Sequence, residues 1–311
     1  MSNTTGTSRI GTVALTALAP LAFGSTFAVT TEFLPPDRPL FTAAMRALPI
    51  GLLLLALVRV LPRGAWWGKA AVLGVLNIGA FFGLLFVGAY RLPGGIAAVL
   101  SAVGPLLAIG YAAALLSERP TVHGVVAGLA GVFGVSLVVL RGDAALDAVG
   151  IAAGTGAVAS MTLGVVLAKR WGRPAGVGAL TFTSWQLVAG GLFLAPLALL
   201  VEGAPPAMDG AAIGGYAYLA IFTTAVPYFL WFRGMAQLPA TSVAFLGLLS
   251  PVSAALIGWV ALGQALAPVQ IAGMAIALGS TVLGQLRPRA TGPTRLVAAG
   301  GPAVRREPVA S

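Results

Sequence analysis

The chain has 311 residues, 58% of them apolar and only 8% charged, with a formal net charge of +10 and no cysteine. Soluble chains carry about 25% charged residues, so this is an integral membrane protein, and the absence of thiols excludes disulfides, zinc–thiolate centres and cysteine nucleophiles. In a soluble chain the basic excess would point to nucleic acid; here the basic residues stand at the ends of apolar stretches, where they set membrane orientation instead.

The stretches are about 20 residues long and show none of the alternation of barrel strands, so an all-α fold of ten transmembrane helices is predicted. The first, roughly 10–30, is long for a signal-peptide core and lacks a small-x-small cleavage site before Glu32, so it reads as a span. The second, roughly 39–60, contains Arg46 and Pro49. A rise of ~1.5 Å per residue from Pro39 puts Arg46 ~10 Å deep in a ~30 Å core. Charge at that depth is a functional hypothesis by default: Arg46 binds a substrate carboxylate or locks a contact between helices. The plainer readings are snorkelling to the surface, or a bond to the Met45 carbonyl that Pro49 leaves free.

The third span, roughly 67–90, holds Asn77 and Phe82, and the fourth, roughly 94–116, has Pro105 at its centre. Glu118 and His123 mark the cytoplasmic interface before the fifth, roughly 121–140. Glu118 is placed to tie its loop to a neighbouring arginine, and a single interfacial histidine, His123, carries no role by itself. The glycines of HGVVAGLAGVFG (123–134) suit close helix packing and lack the strand and lysine of a phosphate cradle. Spans six to ten fall at roughly 148–168, 177–201, 211–232, 240–262 and 268–286. The seventh carries Trp185 and Gln186, the eighth Thr223, Pro227 and Tyr228, and the ninth Pro251. Residues 1–9 form a short cytoplasmic N-terminus, and the tail 287–311, rich in Pro, Gly and Arg, is expected to be disordered.

With the N-terminus inside, 14 of the 18 basic residues fall on the cytoplasmic side and only Arg38, Arg91 and Arg141 outside. That bias places both termini in the cytoplasm. A repeat runs beneath the spans: aligning Gly88 with Gly234 pairs Leu92 with Leu238, Pro93 with Pro239, Ala98 with Ala244 and Pro105 with Pro251, at an offset of 146 residues. Five spans per unit is an odd number, so the second repeat (148–286) enters the membrane opposite to the first (10–140). Inverted repeats are a recurrent transporter architecture with a midplane site between the halves.

Pro105 and Pro251 each deprive a carbonyl four residues earlier, Ser101 and Gly247, of its donor, and a mid-helix proline costs roughly 3 kcal/mol. In hydrocarbon such groups must face protein or a wet cavity, so both prolines, with Pro227, are candidate helix breaks or gates. The candidate cavity lining is Arg46, Asn77, Phe82, Ser101, Trp185, Gln186, Thr223 and Tyr228. Asn77 aligns with Thr223, Phe82 with Tyr228, and Gln186 with Arg46. Aromatic walls with a few directed polar groups suit a small organic ligand, although polar residues also serve plain helix–helix hydrogen bonding.

The early LAFGSTFAVTTEF and AAMRALPIGLLLLAL, the LLSERP after the fourth span, and SWQLVAGGLFLAPLALL and YFLWFRGMAQLPATSVAFLGLLSPVSAALIGWVALGQ in the second half together resemble the EamA-type transporters of the drug/metabolite transporter superfamily. The opening region is similar to its pigment- and metabolite-exporting PecM-type branch. The resemblance covers the chain outside the tail and implies a ten-helix inner-membrane carrier that moves small organic metabolites, usually outward, through a central cavity. The family pattern has a glutamate after the fourth helix of each half; Glu118 fills the first place and Gln264 replaces the second, so a role needing both carboxylates is in doubt.

The partners expected are a small-molecule substrate and the bilayer, with no nucleic acid; a homodimer is compatible with the sequence. Nothing requires a metal or cofactor. An intramembrane enzyme would need convergent acid, base and nucleophile at depth, which one histidine and no buried acid do not supply. A non-transporting scaffold or receptor is the other alternative, and it needs neither a polar midplane nor a repeat.

Overall fold

The computed structural model describes residues 4–91, 100–139, 147–262 and 267–286. The repeat positions Leu92, Pro93 and Ala98, the substituted Gln264 and the tail 287–311 lie outside the described residues. Among those described, the chain is helical with no strand. The first half contains α1 (Thr4–Phe23), α2 (Thr26–Phe33), α3 (Pro39–Val58), α4 (Trp66–Gly74), α5 (Phe81–Arg91), α6 (Gly104–Leu116) and α7 (Val122–Val139). The second contains α8 (Ala148–Trp171), α9 (Ala179–Glu202), α10 (Gly210–Ala220), α11 (Val226–Met235), α12 (Ala240–Leu246), α13 (Leu249–Leu262) and α14 (Pro268–Gln285). Seven described helical stretches are long and apolar enough to cross a bilayer, and two shorter apolar helices lie at Leu100–Leu116 and Val122–Leu137.

Two junctions are wound as π-helix: Val75–Ala80 joins α4 to α5, and Ile221–Ala225 joins α10 to α11. Their starting positions are repeat equivalents at the 146-residue offset. Such widened turns are rare and concentrate at functional sites. Each displaces the backbone hydrogen-bond register of a helix in the middle of its path.

Pro105 and Pro251 stand just after helix breaks, not at the centre of continuous helices. Pro105 lies in the first turn of α6, after a break at Val103, and Pro251 in the first turn of α13, after a break at Gly247 and Leu248. First-turn donors lack an intrahelical partner in any case, so proline is tolerated there. The Gly247 carbonyl is not orphaned: it accepts from Ser250 N–H at 3.1 Å, in a tight turn that closes the gap. The first predicted span is likewise two helices, α1 and α2. At the break, a Cβ on Gly24 would meet the Ala254 backbone nitrogen at 2.7 Å, so glycine admits α13, whose Ser253 hydroxyl donates to the Leu21 carbonyl at 2.6 Å.

Helices pack against their own repeat mates. The most extensive interfaces join α3 to α9 and α7 to α14. Both pairs run antiparallel. Gly51 lies against Leu187 and Leu48 against Gly191; in the other pair Gly134 meets Ala277, and the Ser280 hydroxyl donates to the Ala127 carbonyl. The glycines of 123–134 do serve close packing: Gly131 faces Leu248 and Ser280. Small residues of this kind let backbones approach where lipid offers no hydrophobic drive for association. The flanking contacts are also paired, since α5 crosses α8 where Gly88 meets Gly154, and α11 crosses α1 where Gly234 meets Thr16.

One cross-half contact ties the bundle at its end. The Glu202 carboxylate accepts from the backbone N–H groups of Leu40 at 2.6 Å and Phe41 at 2.9 Å, and Arg38 Nη1 donates to the Glu202 carbonyl. Arg38, the residue in the cap position of α3, makes no side-chain cap bond, so an acid from 162 residues away caps the helix and complements its dipole. Glu202→Ala should cost about 1–2 kcal/mol, read as a lower melting temperature in detergent with substrate affinity unchanged.

A candidate substrate cavity between the halves

Arg46 projects from α3 and is 2% exposed. It neither snorkels nor bonds the Met45 carbonyl. Its Nε donates to the Thr224 hydroxyl and its Nη2 to the Thr223 carbonyl, both at 2.6 Å. That carbonyl is the one four residues before Pro227, which has no N–H to offer it. The guanidinium also lies over the Phe82 ring, 4.5 Å from its centroid, a cation–π arrangement that a desolvated site strengthens. A charged side chain from the first half is thus held by the π turn of the second.

The reciprocal contact is present. Gln186 on α9 accepts through Oε1 from Asn77 Nδ2 at 2.7 Å, and Asn77 lies in the π turn of the first half. Gln186 Nε2 donates to the Phe182 carbonyl at 3.3 Å. Both side chains are fully buried, and Asn77 Oδ1 has no partner. Gly164 makes room for this amide; a Cβ there would come within 2.7 Å of Asn77 Cγ. The repeat therefore builds one inter-half contact twice, as Arg46 on Thr223 and Thr224, and as Gln186 on Asn77.

Beside Arg46 is a cavity of about 150 Å³. Of the sequence candidates, Arg46, Phe82, Ser101 and Tyr228 line it, and so does Gly247, the repeat mate of Ser101. Phe82 and Tyr228, themselves repeat mates, meet edge to face with centroids 5.7 Å apart. The other candidates lie elsewhere. Asn77 and Gln186 bond each other, Thr223 backs Arg46, and Trp185 donates Nε1–H to the Val60 carbonyl at 2.7 Å, near the end of α3. Pro105, Pro251 and Pro227 do not line the cavity, but each lies within four residues of a wall residue: Ser101, Ser250 and Tyr228.

Sequence reasoning passed over four further polar wall residues, Thr26, Thr162, Trp231 and Ser250. For Trp231 and Ser250 the repeat offset was a usable signal, since it matches them to Leu85 and Gly104, which also line the cavity. Thr26 sits at the start of α2 after the Gly24 break, which no local pattern marked. Its Oγ1 and the Nε1 of Trp231 are buried without a hydrogen-bond partner.

Glu118 and His123 line a separate cavity of about 170 Å³ at one end of the bundle. His123 Nε2 is 2.9 Å from the Leu283 carbonyl. Among the described residues Glu118 makes no ion pair with an arginine; the described ion pair is Arg91 with Asp147, at 3.6 Å.

Comparison with known proteins agrees with this architecture. A solved crystal structure at 18% identity superposes with a TM-score of 0.75 over 89% of this chain and 98% of that one, which bears on the fold alone. The chain is 41% identical over 267 residues to protein PecM of Dickeya dadantii, covering 86% of this chain and 90% of that protein. It is 28% identical over 227 residues to a probable terminal-alkyne amino-acid exporter of Streptantibioticus cattleyicolor, covering 71% and 74%. The model of the EamA-like transporter family matches twice, over residues 10–140 and 148–284. By that double match, one to each half of the repeat, the chain belongs to the EamA-like transporter family of membrane transporters.

Proposed function

We propose that the protein is a secondary carrier of the plasma membrane that exports small organic metabolites by alternating access. In this reading ten transmembrane helices form two inverted five-helix repeats, 10–140 and 148–286, related by an axis in the membrane plane. Residues 1–9 and the basic tail 287–311 are both cytoplasmic. Antiparallel packing of α3 with α9 and of α7 with α14 supports the inversion, because only an axis perpendicular to the helices relates two antiparallel mates. The bias of basic residues supports the orientation, and the exporter among the relatives supports the direction.

The observation that carries the reading is the convergence of repeat-related side chains from both halves on one buried cavity beside Arg46. A site on the pseudo-axis belongs equally to both halves, so rocking one against the other opens it to either face without dismantling it. The chain has no ATP-binding motif, so a gradient or the substrate's own concentration difference drives the cycle. The test compares metabolites secreted by overexpressing and deleted cells, then measures counterflow of the differing compounds in proteoliposomes. Counterflow above protein-free vesicles is expected; its absence for every differing compound would leave a scaffold or receptor.

A further inference from the structure

The cavity wall is chemically unequal across the repeat. Phe82, Leu85 and Gly104 of the first half face their mates Tyr228, Trp231 and Ser250 of the second. In each of these pairs the second-half member carries the hydrogen-bonding group, and only Ser101 with Gly247 runs the other way. Arg46 belongs to the first half in sequence but is pinned to the second by Thr223 and Thr224. The remaining wall is mostly apolar, including Phe81, Phe86, Val158 and Val165, with Thr26 and Thr162 as its polar members.

Donors on the polar side outnumber their partners. Arginine has five N–H groups; two of those on Arg46 are used, and its Nη1 has no acceptor among the described residues. The Trp231 N–H, which can only donate, and the Thr26 hydroxyl are both unpartnered, on residues 4% exposed. No aspartate or glutamate lines the cavity among the described residues, so no carboxylate in the wall neutralises Arg46 or pairs with an ammonium group.

We infer that the cavity takes a small amphiphilic anion, and takes it one way round. A carboxylate-sized head lies toward Arg46, Trp231 and Thr26, and an apolar body lies against Phe81, Phe86, Val158 and Val165. The head supplies the charge and acceptors that the polar side lacks, because buried donors are costly unless paired. A cavity near 150 Å³ holds a body of about one benzene ring. A cationic ligand would place its charge beside Arg46 with no carboxylate to offset it. This inference rests on the carrier reading for its biological meaning, though ligand binding is measurable without transport.

The test is binding of four ring-matched probes, benzoate, benzamide, benzylamine and phenylglycine, to the purified full chain in detergent, read from thermal stabilisation. Benzoate should bind about tenfold more tightly than benzamide, the difference between a charged and a neutral hydrogen-bonding head, and more tightly than phenylglycine or benzylamine. Trp231→Phe keeps the ring and removes the N–H, and should weaken benzoate about threefold to tenfold; Thr26→Val provides a second, independent variant. Equal binding of benzamide, benzylamine or phenylglycine, binding of none of the four, or unchanged benzoate affinity in both variants overturns the inference. Benzoate that binds but shows no counterflow contradicts the carrier reading and leaves the inference standing. Counterflow of an amine without benzoate binding does the reverse.

Discussion

Replacing Arg46 with glutamine should lower the transport rate at least about tenfold while the protein still inserts and purifies as a folded species. The guanidinium makes two charged hydrogen bonds to the π turn of the opposite half, each worth about 1.5–3 kcal/mol, and presents its remaining donors to the cavity. Glutamine retains an amide donor for the Thr223 carbonyl, which limits the stability loss, but it brings no charge to the substrate. Lysine should not rescue, because a single ammonium cannot reproduce the planar fork that spans Thr224, Thr223 and the cavity at once. Initial rates in proteoliposomes, normalised to folded protein, check this. A melting temperature that falls so far that folded protein and transport disappear together would make Arg46 a packing residue.

Gln186→Leu should do the opposite: lower stability with little change in KM. The equivalent contact between α9 and the first-half π turn lies away from the cavity, and leucine at 186 leaves the Asn77 amide with both polar atoms unpaired in the core. An unsatisfied buried group costs about 1–3 kcal/mol. The double variant Asn77→Leu, Gln186→Leu should recover part of that, since removing both partners is gentler than orphaning one. Melting temperatures of wild type, the single variants Asn77→Leu and Gln186→Leu and the double variant, with KM from the same preparations, decide it. A raised KM with an unchanged melting temperature would place Gln186 in substrate recognition.

These two contacts also show what the chain discloses before it folds. The repeat was legible because prolines, glycines and aromatics recur at one offset, and that offset matches Phe82 to Tyr228 and Ser101 to Gly247, all four of which line one cavity. Arg46 stood out because charge in hydrocarbon is rare. The direction of the Asn77 and Gln186 side chains was not legible, because a polar residue on a membrane helix faces a cavity or a neighbouring helix according to rotation about the axis. Each π turn rotates one half of its helix relative to the other, and the polar residues inside the two turns, Asn77, Thr223 and Thr224, do not by themselves announce a change of winding. The helix breaks were displaced for a related reason: proline identifies a lost donor, but Gly247 and Ser250 decide that a tight turn replaces it. Glu202 capping α3 from the other half is a product of packing alone, with no local signature at Arg38 or Leu40.

The cavity as the path of the substrate is most directly tested by Ser250→Cys, in a chain that otherwise contains no cysteine. Ser250 lines the cavity beside the α12–α13 break, and a thiol there is a near-isosteric probe. A membrane-impermeant thiol reagent applied from either face should label this position, block transport, and react more slowly when a transported ligand is present. Labelled protein that still transports at the unmodified rate, or a thiol that neither face can reach, would contradict a substrate path through this cavity.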